Sequence, residues 1–239
     1  TNSGRVVARF AGDSGDGIQV LGSEFAKSSA LSGHDLLTFP DYPAEIRAPV
    51  GTTFGVSAYQ IQFGGPIVLT HGDEVDVLVV FNPAALKTNL ASLRIGGLLI
   101  VDEGQFNKRG LKKAGYETDP LESDEIAKYQ VIKIDIVQRT QEAVADTNAS
   151  KKESDRAKNF WALGLTYWMF GRSRAETKAW IDQKFANAPI IAAANIAALD
   201  AGHAYGETME IGGDLAERPS NATLDPGTYR AITGIDALA

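Results

Sequence analysis

Cysteine is absent from the 239-residue chain, so it forms no disulfide and holds no iron–sulfur cluster through its own thiolates. Histidine is scarce as well. His34, His71 and His203 lie far apart, no His-x-x-x-His spacing exists, and a metal site is not expected. Basic residues are outnumbered, with 23 Lys and Arg against 30 Asp and Glu, which argues against a nucleic-acid partner. No apolar run reaches membrane-spanning length, and Thr1-Asn2-Ser3-Gly4-Arg5 carries no apolar signal core. These absences predict a cytoplasmic protein with no membrane partner.

Glycine, by contrast, is placed where it counts. Gly12-Asp13-Ser14-Gly15-Asp16-Gly17 follows a short apolar stretch, residues 6–11, and opens a helical pattern over residues 18–31. A strand, a glycine turn and a helix N-terminus form the usual ligand position of α/β proteins, because free N–H groups and the helix dipole point there. The spacing is G-x-x-G-x-G, whereas a dinucleotide fingerprint reads G-x-G-x-x-G. Asp13 and Asp16 also stand where a pyrophosphate would sit, where they would repel phosphate and take up the loop's N–H groups. The loop is therefore read as a ligand or partner site other than an ordinary dinucleotide site, with a plain tight turn as the alternative. Gly12 and Gly15 are expected to sit where a Cβ would obstruct.

The rest of the chain alternates. Residues 36–39 read as a second strand, followed by a stiff loop over 40–51 containing Pro40, Pro43 and Pro49. Glu45 and Arg47 lie two apart in that loop, as recognition charges or as a structural ion pair. Residues 54–63 show apolar positions of both parities, which predicts a bulge near 57–59. Residues 75–81 form a buried strand, and Asn82-Pro83 supplies a helix N-cap and first-turn proline. Strands at 97–101 and 131–134 follow. The pattern predicts an α/β fold, a three-layer α/β/α arrangement around a largely parallel sheet.

Past residue 150 the pattern turns helical. Phe160, Leu163, Gly164, Tyr167 and Phe170 share a helical face, and Gly171 stops it. Ser173-Arg174-Ala175-Glu176 has capping-box spacing, and Pro189 introduces an alanine-rich helix. Lys151, Lys152, Arg156 and Lys158 read as a solvated face, Asn159 as a polar helix residue satisfying local backbone, and His34 as a loop residue. The expected organisation is a domain over 4–210, a linker over 211–228 and the start of another domain over 229–239.

Three segments resemble a known family: Phe10-Ala11-Gly12-Asp13-Ser14-Gly15-Asp16-Gly17, Thr38-Phe39-Pro40-Asp41-Tyr42-Pro43-Ala44-Glu45-Ile46-Arg47-Ala48-Pro49 and Asn159-Phe160-Trp161-Ala162-Leu163-Gly164. They are similar to the γ-type domain of 2-oxoacid:ferredoxin oxidoreductases, most closely the amino-terminal part of the 2-oxoglutarate enzyme's α subunit. The resemblance covers roughly residues 5–204. It implies a complex that converts a 2-oxoacid, coenzyme A and oxidised ferredoxin to an acyl-CoA, CO2 and reduced ferredoxin. It also implies thiamine diphosphate, Mg2+ and a [4Fe-4S] cluster in the complete enzyme, none held firmly by this chain. The implied partners are the remaining thiamine-binding α and β parts and, through them, ferredoxin. Residues 229–239 resemble the opening of a thiamine-binding domain.

On this reading no residue of the chain is catalytic or ligates metal, and the chain alone is expected to be inactive. Gly12, Asp13, Ser14, Gly15, Asp16, Gly17, Glu45 and Arg47 are the candidate coenzyme or partner contacts. Two readings from other classes stay open: a free-standing nucleotide- or flavin-binding protein, and a purely structural interaction subunit.

Overall fold

The computed structural model describes residues 4–43, 55–65 and 67–209. Six strands form one sheet: β1 (Val6–Asp13), β2 (Leu36–Asp41), β3 (Val56–Phe63), β4 (Val75–Val80), β5 (Leu93–Asp102) and β6 (Gln130–Ile134). Their order is β2-β3-β1-β4-β5-β6. β1, β4, β5 and β6 pair parallel, and β3 runs antiparallel to both β1 and β2, so one strand of the six is reversed. The expected three-layer arrangement with a largely parallel sheet is what the chain adopts.

Helices are α1 (Ile18–Leu31), α2 (Pro83–Asn89), α3 (Lys108–Ala114), α4 (Ile136–Ala143), α5 (Lys151–Arg156), α6 (Lys158–Met169), α7 (Ala175–Lys184) and α8 (Pro189–Met209). Alternation along the strands divides the core. Val6, Ala8 and Phe10 of β1, with Val77 and Val79 of β4, face the layer containing α1, α6 and α8. Val7, Ala11, Leu78 and Val80 face the opposite layer, where Ala85 and Leu86 of α2 cover them. Burial on both faces explains why these strands read as unbroken apolar runs.

The expected bulge in β3 does not exist. β3 pairs with β1 residue for residue, from Val6 opposite Phe63 to Asp13 opposite Val56. Both parities are apolar because both faces are covered. Tyr59, Ile61 and Phe63 enter the α1 layer, and Ala58 enters the α2 layer. A parity change signals a bulge only when one face is wet.

One capping box forms where the sequence reading placed none, and the expected one does not form. The capping box lies at Ser150 and Glu153: the Ser150 hydroxyl accepts from Glu153 N–H, and the Glu153 carboxylate accepts from Ser150 N–H at 2.7 Å. At Ser173 the spacing is the same, but the side chain accepts from Ala175 N–H at 3.2 Å, and the helix begins without a side-chain cap. Asn82 caps α2 as expected, accepting from Ala85 N–H at 2.8 Å ahead of Pro83. The segments read as a linker over 211–228 and as the start of another domain over 229–239, together with Glu45 and Arg47, lie outside the described residues.

Candidate functional site

β1 is the strand at which the sheet order reverses. The chain leaves it through α1 toward β2 on one side and later returns to its other side as β4. The loops after β1 and β4 therefore diverge, opening the crevice in which doubly wound folds hold ligands. Asp13 and the glycine loop form one wall, and Phe81 and Asn82 form the other. A small cavity of about 90 Å3 lies between them, lined also by Lys113 and Lys158.

The loop is a tight turn locked by its own carboxylate. Asp16 N–H donates to the Asp13 carbonyl at 2.9 Å, and one Asp16 oxygen accepts from Asp13 N–H at 2.8 Å. The other Asp16 oxygen pairs with Lys158 Nζ at 2.8 Å, with both side chains largely enclosed. Asp13 accepts from Asn82 Nδ2 at 2.9 Å and pairs with Lys113 at 3.2 Å. Each aspartate thus has a lysine of its own. The expected repulsion of phosphate is cancelled by cations distant in sequence, from α3 and α6.

Lys158 and Asn159 depart from their sequence readings. Lys158 is an enclosed cation that also stands 5.6 Å from the Phe81 ring centre. Asn159 is buried and reaches 142 residues back to donate to the Gly17 carbonyl at 3.4 Å, while its Oδ1 is enclosed without a donor. Sequence separation hides both contacts. The other three cations, Lys151, Lys152 and Arg156, do face an open cleft of about 470 Å3 that they line with Gly15, Asp16, Asp155 and Lys158. Four cations against two carboxylates make that cleft electropositive at the mouth of the crevice. Asp102, at the end of β5, completes the surroundings: it is fully buried, one oxygen accepts from Ile136 N–H at 2.9 Å, and the other has no donor. His34 lies buried after α1, edge-on to Phe63, away from the crevice.

The glycines of the loop are not equivalent. A Cβ on Gly12 would meet the Asp16 carboxylate at 2.8 Å and Ile18 at 3.0 Å. Gly17 caps α1 with φ of 73°, and a Cβ there would press on the Asn159 amide. Gly15, expected to be equally constrained, has open space around it and no positive φ. Gly17→Ala is expected to lower stability by about 1–3 kcal/mol through a strained left-handed residue, whereas Gly15→Ala stays within about 0.5 kcal/mol. Urea unfolding of the two variants side by side checks this ordering.

Among the described residues no group of three or more His, Cys, Asp and Glu could hold a metal ion, and no helix is long and apolar enough to cross a membrane.

Comparison with known proteins agrees with the fold. The chain is 53% identical over 234 residues to the 2-oxoglutarate oxidoreductase subunit KorA of Mycobacterium tuberculosis, covering 98% of this chain and 36% of that one. It thus spans about a third of that relative's length. Among solved structures it is similar to the 2-oxoglutarate:ferredoxin oxidoreductase of Magnetococcus marinus with 2-oxoglutarate, coenzyme A and succinyl-CoA bound. That match has a TM-score of 0.68 and 24% identity, over 91% of this chain and 34% of that one. It is also similar to the γ subunit of a keto/oxoacid ferredoxin oxidoreductase of Geobacter sulfurreducens, with a TM-score of 0.57 and 18% identity, over 85% of this chain and 97% of that one. The family of pyruvate ferredoxin/flavodoxin oxidoreductases matches residues 7–205. With that match spanning nearly all of the sheet and its covering helices, the chain belongs to the pyruvate ferredoxin/flavodoxin oxidoreductase family.

Proposed function

We propose that this chain is the γ part of a 2-oxoglutarate:ferredoxin oxidoreductase and that its crevice receives coenzyme A. The complete enzyme would convert 2-oxoglutarate, coenzyme A and oxidised ferredoxin to succinyl-CoA, CO2 and reduced ferredoxin. The identity to KorA supports the 2-oxoglutarate reading. Thiamine diphosphate with Mg2+, and the cluster that passes electrons to ferredoxin, would be held by the thiamine-binding α and β parts. A chain without cysteine cannot supply cluster thiolates. Its work on this reading is to build the assembly and to present the thiol-bearing co-substrate, in the cytoplasm.

One observation carries the coenzyme A reading. Both loop carboxylates are neutralised by lysines, and the loop opens onto a cleft walled by Lys151, Lys152, Arg156 and Lys158. Such a cleft suits a polyphosphorylated ligand, since charge-assisted hydrogen bonds to phosphate are the strong ones. Lys151, Lys152 and Arg156 could hold the phosphates. Asp13, Ser14, Asp16 and Asn159 could take the polar groups between phosphates and thiol, and Glu45 and Arg47 are further candidate contacts.

Calorimetric titration of the chain with coenzyme A and with pantetheine, which lacks the nucleotide and its phosphates, tests this. Coenzyme A is expected to bind and pantetheine to bind far more weakly. Lys152→Ala with Arg156→Ala should weaken coenzyme A by roughly 1.5–3 kcal/mol for each charge-assisted hydrogen bond removed, without changing the melting temperature by more than a degree or two. Equal binding of the two ligands, or an unaffected double variant, would overturn the assignment.

A further inference from the structure

The opposite end of the sheet carries a buried cation with no part in the crevice. α6 ends in a paired motif: Gly171 N–H donates to the Trp168 carbonyl at 3.2 Å and Arg172 N–H to the Tyr167 carbonyl at 2.8 Å, with Gly171 at φ 65°. The residue after such a glycine turns back onto the protein and ordinarily brings an apolar contact. Here it brings an arginine that is 3% exposed. The guanidinium carbon stands 5.4 Å from the Phe63 ring centre. Nε and Nη2 are enclosed and have no acceptor. These two nitrogens share the edge of the guanidinium that grips a carboxylate or phosphate through two parallel hydrogen bonds. Among the described residues no carboxylate forms an ion pair with Arg172, and a buried charge without a partner is costly.

Arg172 lines a cleft of about 410 Å3 with Ser173, Arg174, Ala175, Lys178 and His203. Arg174 and Lys178 both pair with Asp200 at 2.7 Å, which fixes them at the rim. His203 lies 3.5 Å from Glu207, and burial together with the nearby Arg174 charge lowers its pKa, so at neutral pH it adds little charge. The cleft therefore has three cations, two of them tied to one carboxylate and the third unanswered. Its size is that of a small-molecule site.

We propose that this cleft binds a small oxyanion, a phosphate or carboxylate group whose two oxygens engage the Nε–Nη2 edge of Arg172. Because that edge is enclosed, binding includes a rotation of the guanidinium within the cleft it already lines. The site is distinct from the glycine loop: Phe63 sits opposite Val6, while the loop begins at Asp13 opposite Val56, about 20 Å along the strands.

The test uses the whole chain, with inorganic phosphate as probe at constant ionic strength and acetate as a second arm. In proton–nitrogen spectra the Arg172 Nε–H signal is identified by its loss in Arg172→Met. It is expected to shift saturably with millimolar phosphate or acetate, and the responding anion identifies the ligand class. Arg172→Met should keep or raise the melting temperature, since an unpaired buried charge is gone, and should lose the response. Arg172→Lys should weaken binding roughly tenfold, because a point charge cannot reproduce the fork. Lys152→Ala with Arg156→Ala should leave the Arg172 shift intact, which separates this site from the proposed coenzyme cleft. No saturable shift with either anion, or a shift abolished by the Lys152/Arg156 variant instead, would overturn the proposal. So would a lowered melting temperature in Arg172→Met with an unresponsive wild type, which would mark Arg172 as a structural cation on Phe63.

Discussion

Gly202→Ala is expected to destabilise the chain by about 3 kcal/mol or more, near the upper end of what overpacking costs. Gly202 lies on α8 where it crosses α6. A methyl group there would overlap the Trp161 carbonyl oxygen, far closer than van der Waals contact allows, and one on Gly164 would overlap the Leu199 carbonyl in the same way. The obstacle in each case is backbone, which cannot rotate aside as a side-chain end can. The helices would have to separate, and the packing of Trp161, Leu163 and Leu199, all essentially fully buried, would loosen on both sides of the opening. Gly206 repeats the pattern against the Trp168 ring, where the expected cost is smaller because the ring can shift. Denaturant unfolding of Gly202→Ala, Gly164→Ala and Gly206→Ala should rank them in that sense, with Gly15→Ala as the neutral control. A Gly202→Ala variant within about 1 kcal/mol of wild type would mean that α6 and α8 are not in backbone contact.

The crossing of α6 and α8 separates what a sequence discloses from what it does not. Gly164 is legible as part of a helical face bounded by Gly171, and the strands from 75 to 101 are legible from apolar runs. These features are local: they depend on residues within one turn or one strand of each other. The partner of Gly164 lies on another helix, and no periodicity within α6 points to it. The same limit hides the candidate site. Asp13 and Asp16 read as obstacles to an anion because their lysines are 100 and 142 residues away. The charge at the crevice is a property of the fold, in which α3 and α6 converge on the β1 loop. The bulge expected in β3 fails for another reason. Its pattern is visible, but deciding between a bulge and two covered faces requires knowing that helices lie on both sides. The two capping-box spacings show the same limit: Ser150 and Ser173 share the S-x-x-E pattern, yet only Ser150 closes the box, and the pattern alone does not distinguish them.

Asp102→Asn is expected to flatten the fall of stability with rising pH. Asp102 is fully buried, and burial drives its pKa up to about 7 against the pull of the Lys158 charge. The unfolded carboxyl titrates near the ordinary value of about 4. Between those values the folded protein holds a proton that the unfolded chain has released, so stability declines as pH rises through that window. Below it both states are protonated and Asp102 costs nothing. Above about pH 7 both are ionised and the full penalty stands, about 4 kcal/mol as an upper bound for a displacement of some three pH units. Asparagine keeps the oxygen that accepts from Ile136 N–H and removes the charge. Any cost of its amide in place of the enclosed oxygen is independent of pH and shifts the whole curve, whereas the lost charge changes only the slope. Unfolding free energies from pH 4 to pH 8 should therefore converge on, or cross, those of wild type at the acid end and rise above that trend at the alkaline end. Parallel curves would show that Asp102 is ionised at little cost, held by Lys158. The expected divergence would show a costly buried carboxyl at the end of β5, within the field of the Lys158 charge that also pairs with Asp16.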